Sequence, residues 1–309
     1  MKQIIYILLI NIIFAIGGNN PWAVFDIASN ANDFSLAAAN ISEGTKGFYQ
    51  FSNPALLPNI DKKTFGASYT MMSLDRSSQS LSLNIPLPPK AAVAISMMRS
   101  GTSDIQGRDA YNNNTELFSH HEILGLISFG VSFSKYFSGG LNIKASYSNL
   151  DNLFGENNEA SYSIKNNGIG FDGGFLFNYS KFSFGLKLEN LASSKNWDLN
   201  ISEQGNSYEE IIHTIYKIGG HYKINDHFTM FICSDNSLNN LLINKYALKI
   251  ENIFDNVGIR AGATIFSKSQ IVPVLGLYYS KRIFDLNYGV DFGSVNEGIS
   301  HIFTWKFTL

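Results

Sequence analysis

Phe284-Asp285-Leu286-Asn287-Tyr288-Gly289-Val290-Asp291-Phe292 alternates apolar and small or polar residues without a break. Successive side chains of an extended strand point to opposite faces, so this stretch has one apolar and one polar face. Leu141–Tyr147 repeats the pattern, with Leu141, Ile143, Ala145 and Tyr147 set against Asn142, Lys144 and Ser146. Phe182–Leu188 and Val257–Ile265 do the same. From Lys63 onward the dominant period is two, which predicts about fourteen strands, each close to the ~9–11 residues that cross a membrane when tilted.

A soluble sandwich also alternates, with its apolar face turned inward. Two features separate the readings. The long gaps between predicted strands, 100–121, 150–167, 192–209 and 236–244, all fall at one end of an antiparallel array, and short turns such as Tyr179-Ser180-Lys181 fall at the other. Short turns at one end and long loops at the other is the arrangement of outer-membrane barrels. The second feature is the last strand, where Phe303, Trp305, Phe307 and Leu309 alternate to the final residue, as a closing strand and assembly signal would. Leu309 stands where a terminal Phe or Trp is usual. The expected fold is therefore an all-β transmembrane antiparallel barrel over residues 63–309.

Composition agrees. Charged residues make up 16% and aromatics 14%, against about 25% charged in an ordinary soluble domain. The formal charge of −2 gives no basic field for nucleic acid. One cysteine, Cys233, allows neither an internal disulfide nor a thiolate metal site, and it lies too far from the N-terminus for a lipoprotein. Met1-Lys2 followed by the apolar run Ile4–Ile16 reads as a signal peptide over 1–17, with cleavage as late as Ala23 as the alternative. The run is shorter than the roughly 20 residues of a spanning helix. Residues 24–60 differ again: an alanine-rich stretch with Pro54 and Pro58 predicts short helical turns, a segment suited to plug the barrel as a hatch.

The charged residues on the polar strand faces are Lys144, Asp172, Lys187, Glu189, Lys217, Lys249, Glu251, Arg260, Asp285, Asp291 and Lys306. Both signs are interleaved, which fits internal pairs bound to a plug better than the single-sign ring of an ion-selective pore. Gly168-Ile169-Gly170-Phe171-Asp172-Gly173 matches a dinucleotide-binding spacing, but it lies inside an alternating strand with no helix expected to follow. His120-His121-Glu122 is expected at a loop-to-strand junction and makes a poor chelate, because neighbouring side chains diverge. No catalytic, cofactor or metal site is predicted, and the chain is read as a non-enzyme.

The order of short motifs resembles the PorV/PorQ family, a branch of the FadL-like outer-membrane barrels. The N-terminal match runs from Phe25-Asp26 through the alanine-rich stretch to Phe48-Tyr49 and Asn53-Pro54-Ala55-Leu56, with Asn32 where many relatives have Arg. Further matches are Ser103–Asp109, Gly170-Phe171-Asp172-Gly173-Gly174, Gly185, Glu189-Asn190-Leu191, Gly258-Ile259-Arg260-Ala261-Gly262, Asp285-Leu286-Asn287-Tyr288 and Ser300-His301. The resemblance implies fourteen strands, with Asn53, Pro54 and Ala55 as a hatch motif. It also implies location in the bacterial outer membrane, in contact with its lipid and with the barrel-assembly machinery. Two functions stay open. One is type IX protein secretion or surface attachment, with secretion-system components and cargo proteins as partners. The other is FadL-like passage of a hydrophobic small-molecule ligand.

Overall fold

The computed structural model describes residues 22–108, 111–151, 162–201, 204–237, 241–254, 256–265, 271–293 and 298–309. The expected signal peptide over 1–17 lies outside them. Fifteen strands form one antiparallel sheet: β1 (Thr64–Met71), β2 (Arg76–Leu87), β3 (Ala91–Arg108), β4 (Asn114–Ser132), β5 (Phe137–Asp151), β6 (Tyr162–Tyr179), β7 (Phe182–Ile201), β8 (Gln204–Ile212), β9 (Ile215–Lys223), β10 (Phe228–Ser237), β11 (Leu241–Phe254), β12 (Val257–Ile265), β13 (Ile271–Lys281), β14 (Phe284–Asp291) and β15 (Ser300–Thr308). β1 pairs with β15 from Thr64↔Thr308 to Met71↔His301, which closes the ring. β7 pairs with both β8 and β9, and only β9 continues to β10. The closed barrel thus has fourteen strands, and β8 is the upper part of a broken strand whose lower part is β9.

The apolar face points outward. On β4, Ile127 is 62% exposed while its neighbour Ser128 is 1% exposed. Ile95, Leu141, Ile143, Ile169 and Leu277 are exposed in the same way. A soluble sandwich would show the reverse, so this is a membrane barrel that crosses with strands. Among the described residues no helix is long and apolar enough to cross a membrane. Aromatic rings crowd the turn end of the outer face, as in Phe137 with Phe177 at 5.0 Å and Phe284 with Phe307 at 5.3 Å.

All four expected long loops are shorter than their sequence suggested, with β5 and β6 taking up both ends of 150–167. β3 and β4 run through most of 100–121, β7 and β8 take up nearly all of 192–209, and β10 and β11 extend into 236–244. Beyond the lipid belt both strand faces are polar, so alternation fades while the hydrogen-bond ladder continues. The wall is consequently uneven, from 8 residues in β1 and β14 to 20 in β7.

Residues 22–60 fill the lumen. This segment carries short helices Ala31–Ser35 and Tyr49–Ser52 and a 3-10 helix at Pro54–Asn59, and its fully buried apolar side chains include Leu36, Phe48, Leu56 and Leu57. Leu36, Ala39 and Ile41 pack on Phe231, Cys233 and Ala247 of β10 and β11. Tyr49, Leu56, Leu57 and Ile60 pack on Ala92, Ala94 and Leu176 of β3 and β6. Each fully buried Leu or Phe contributes about 1.5–3 kcal/mol. The segment and the inner wall together form the apolar core.

Candidate functional site: the lumen segment and its charged wall

The lumen segment turns toward the wall at Asn53-Pro54-Ala55, all fully buried or nearly so. Asn53 caps the following 3-10 helix, its Oδ1 accepting from Ala55 N at 3.0 Å. Its Nδ2 lies 3.3 Å from the Ile41 carbonyl, 3.2 Å from that of Phe175 and 3.3 Å from that of Leu186. One side chain thereby joins the segment to β6 and β7. Three glycines in register across β4, β5 and β6 admit this turn: Gly130 opposite Gly140, and Gly140 opposite Gly174. A Cβ at Gly140 would stand 2.4 Å from the Pro54 carbonyl, and one at Gly174 would stand 2.1 Å from Asn53 Oδ1. No side chain fits between wall and segment here.

Within the segment, Asp33 is the organising group. Its buried carboxylate accepts from Asn40 Nδ2 at 2.7 Å, Thr45 Oγ1 at 2.7 Å and Ser52 Oγ at 2.6 Å. It thus ties the first helix to the second. Asn30 caps the first helix, accepting from Asn32 N and Asp33 N. Further bonds reach the wall: Gln50 Nε2 donates to Ser82 and Ser96, Lys187 Nζ to the Phe51 carbonyl at 2.6 Å, and Ser42 pairs with His221 at 2.9 Å. Glu43 forms an ion pair with Lys249. Burial pushes the Glu43 carboxyl up, but the attraction of Lys249, helped by His221, outweighs it and holds the carboxyl below its usual range.

The interleaved lumen charges pair with one another. Lys144 meets Asp172 at 2.6 Å, Lys187 and Lys217 share Glu189 at 2.6 and 2.8 Å, Lys249 also reaches Glu251 at 3.2 Å, and Lys306 pairs with Asp285. Arg260 donates to Asn287 Oδ1 at 3.0 Å and lies over the Tyr278 ring, while Asp291 accepts from Gly293 N at 2.7 Å. The pairs Lys195–Glu122 at 2.8 Å and Lys245–Asp235 at 2.6 Å complete the pattern. Sequence reasoning did not single out these last four as lumen charges, although strand parity places all of them on the inward face.

Several sequence motifs meet at a defect in the wall. Asn190 and Ala192 of β7 have positive φ, 62° and 46°, at the level where pairing passes from β9 to β8. Such a bulge frees backbone groups and bends the strand. Asp172 takes the Asn190 N–H at 3.0 Å, and Lys144 Nζ holds the Asn190 side chain at 2.6 Å. The adjoining glycines, Gly168 and Gly170, face the Trp22 ring, within 3.1 and 2.7 Å of a Cβ built on them. β6 continues as strand on both sides of them, so the helix required by a dinucleotide site is missing. His120-His121-Glu122 lies inside β4 and not at a junction, because the ladder extends past the apolar belt. His120 bonds Ser148, His121 bonds Ser103 and Glu122 bonds Lys195, and among the described residues no group of three potential ligands could hold a metal.

On β15, Phe303, Trp305 and Phe307 face outward, alternating with buried or half-buried Ile302, Thr304 and Lys306. Leu309 lies just beyond the strand, its N–H donating to the Lys63 carbonyl at 2.8 Å. A cavity of about 110 Å³ lies beside the segment. Phe25, Ile27, Phe51, Leu124 and Leu126 line one side, and the Lys144, Lys187 and Lys217 pairs line the other.

Comparison with known proteins gives the fold and a family. The chain is similar to the Pseudomonas putida toluene transporter TodX, with a TM-score of 0.65 and 12% identity over 93% of this chain and 100% of that one. It is similar to a Pseudomonas aeruginosa FadL homologue, with a TM-score of 0.62 and 12% identity over 90% of this chain and 97% of that one. The CymD monoaromatic hydrocarbon channel gives 0.62 and 13% over 91% and 99%. No curated protein sequence matches the chain. The family profile described as type IX secretion system membrane protein PorP/SprF matches residues 77–307.

Proposed function

Because the chain belongs to the PorP/SprF family of type IX secretion system membrane proteins, we propose that it is a non-enzymatic outer-membrane barrel serving protein secretion and surface attachment. Its turn end faces the periplasm and its loop end the cell exterior. The observation that carries this reading is a lumen closed by the chain's own segment and neutralised by ion pairs. A solute channel needs a path, and the cavity beside the segment, about 110 Å³, is smaller than the ~150 Å³ that admits benzene in an apolar site. About half of its lining is polar or charged as well.

The finer role, a PorV- or PorQ-like adaptor that handles secreted cargo, is supported by the Asn53-Pro54-Ala55 turn, which lies upstream of the matched residues 77–307. Expected contacts are membrane lipid, the barrel-assembly machinery, secretion-system components and cargo proteins, with no nucleic acid. The rival reading is passage of hydrophobic small molecules, favoured by the apolar side of the cavity. A chromosomal deletion separates them. Loss of cargo from the cell surface, with uptake of hydrophobic solutes unchanged, supports the secretion role. Impaired solute uptake with normal cargo display refutes it. In planar bilayers the intact protein should conduct little, and a variant lacking residues 24–60 should conduct; equal conductance would refute closure by the segment.

A further inference from the structure

The turn-end mouth of the barrel holds a second cavity, of about 320 Å³, formed where the lumen segment enters β1. Four cations line it, Lys46, Lys62, Arg282 and Lys306, against the carboxylates of Asp61 and Asp285. Lys306 pairs with Asp285, whereas Lys46, Lys62 and Arg282 make no ion pair among the described residues. The notch therefore carries a surplus of two positive charges. In its wall the hydroxyl of Thr64, a residue only 4% exposed, has no hydrogen-bond partner. The frame is fixed: Thr308 N donates to the Ile283 carbonyl and Leu309 N to the Lys63 carbonyl, both at 2.8 Å. Asn84 Nδ2 holds the Gly47 carbonyl at 2.8 Å, and Gly47, at φ +91°, lets the Lys306 stem lie across it.

We propose that this notch accepts carboxylates of an acidic peptide segment presented from the turn end. Position decides against membrane lipid. Thr64, Asp285, Lys306 and Thr308 occupy inward positions of β1, β14 and β15, so headgroups outside the wall do not reach them. The volume equals roughly ten waters at ~30 Å³ each, room for two acidic side chains. The surroundings extend the match beyond a single small anion. Five of the six turns at this end carry a lysine in the turn or at the strand end beside it, namely Lys90, Lys135, Lys181, Lys223 and Lys281. Such a field steers an acidic chain toward the mouth, and the notch fixes its register. The inference goes beyond the secretion reading, and its assay involves no secretion.

The test uses the full chain in nanodiscs of phosphatidylcholine and a fluorescein-labelled hexaglutamate peptide, read by anisotropy. The triple variant K46Q/K62Q/R282Q should weaken binding at least about tenfold, and K90Q/K135Q/K181Q, which removes the same charge from remote turns, less than about threefold. Thr64→Val, nearly isosteric, should weaken it roughly threefold through the lost hydroxyl. Absence of binding to the native protein, or equal losses in both triples, overturns the proposal. So does full displacement of the peptide by millimolar inorganic phosphate, which would make the notch a small-anion site. Loss of binding on adding phosphatidylglycerol would likewise overturn it in favour of lipid.

Discussion

The contact between Gly140 and Pro54 can be challenged with one methyl group. In Gly140→Ala the new Cβ would lie 2.4 Å from Pro54 C and O and 2.7 Å from Ala55 N. Carbon contacts settle at about 3.5–4.0 Å, so the Pro54 peptide must withdraw by about 1 Å. β5 cannot yield in its place, being laddered to β4 on one side and β6 on the other. Withdrawal breaks the reach of Asn53 Nδ2 to the Phe175 and Leu186 carbonyls, already 3.2 and 3.3 Å. Overpacking costs about 1–3 kcal/mol and each lost hydrogen bond about 0.5–1.5 kcal/mol. A total of about 2–6 kcal/mol raises the population with a displaced segment roughly 30- to 30,000-fold. Planar-bilayer conductance and urea unfolding in micelles read the two consequences. Gly125→Ala is the control, since its Cβ meets nothing nearer than the Ala145 carbonyl at 3.8 Å. If Gly140→Ala matches the native protein in conductance and within about 0.5 kcal/mol in stability, the tight seat of the segment is refuted.

Three further outcomes follow from the same structure. Deleting Phe303–Leu309 removes the partner of β1, so heat-modifiable, membrane-inserted protein should vanish; normal insertion would refute the closing role. The Glu43 carboxyl is held below its ordinary value of 4.5, so its anchoring is fully present above that pH and is lost as pH falls below it. Conductance should therefore rise on acidification below about pH 4.5, and Glu43→Gln should show raised conductance at neutral pH with a flatter profile; an unchanged profile would refute the anchor. Lys195→Met should destabilise by about 3–5 kcal/mol by stranding buried Glu122, with much of the loss recovered in Lys195→Met/Glu122→Leu, as a double-mutant cycle in urea would measure.

The barrel was legible because lipid and lumen impose opposite chemistry on alternate residues. Phe284–Asp291 records that conflict directly, and its outward Leu286 and inward Asn287 stand where parity puts them. Parity also placed Lys144, Asp172, Lys187 and Glu189 inside, but not which pairs form. Lys217 reaches Glu189 across the β7–β9 boundary, a neighbourhood set by register and not by spacing along the chain. The upper strands were missed for the complementary reason: where water bathes both faces, a ladder leaves no alternation to read. The break at 213–214 gave no signal either, because its cause, the bulge at Asn190–Ala192, lies on the partner strand. The Glu43–Lys249 and Ser42–His221 contacts join residues about 180 to 206 positions apart, and no local pattern announces them.

The double pairing of β7 separates two properties that most barrels combine. Ring closure runs through β9, whereas the added height belongs to β8 and the upper half of β7. A hairpin lengthened, trimmed or replaced above Ala192 leaves every β7–β9 bond in place and touches, on the other side, only the upper β6–β7 pairs from Tyr162 to Ile169. The exposed end of the molecule is therefore free to diversify like a grafted branch, while the trunk that must insert into the membrane stays unchanged.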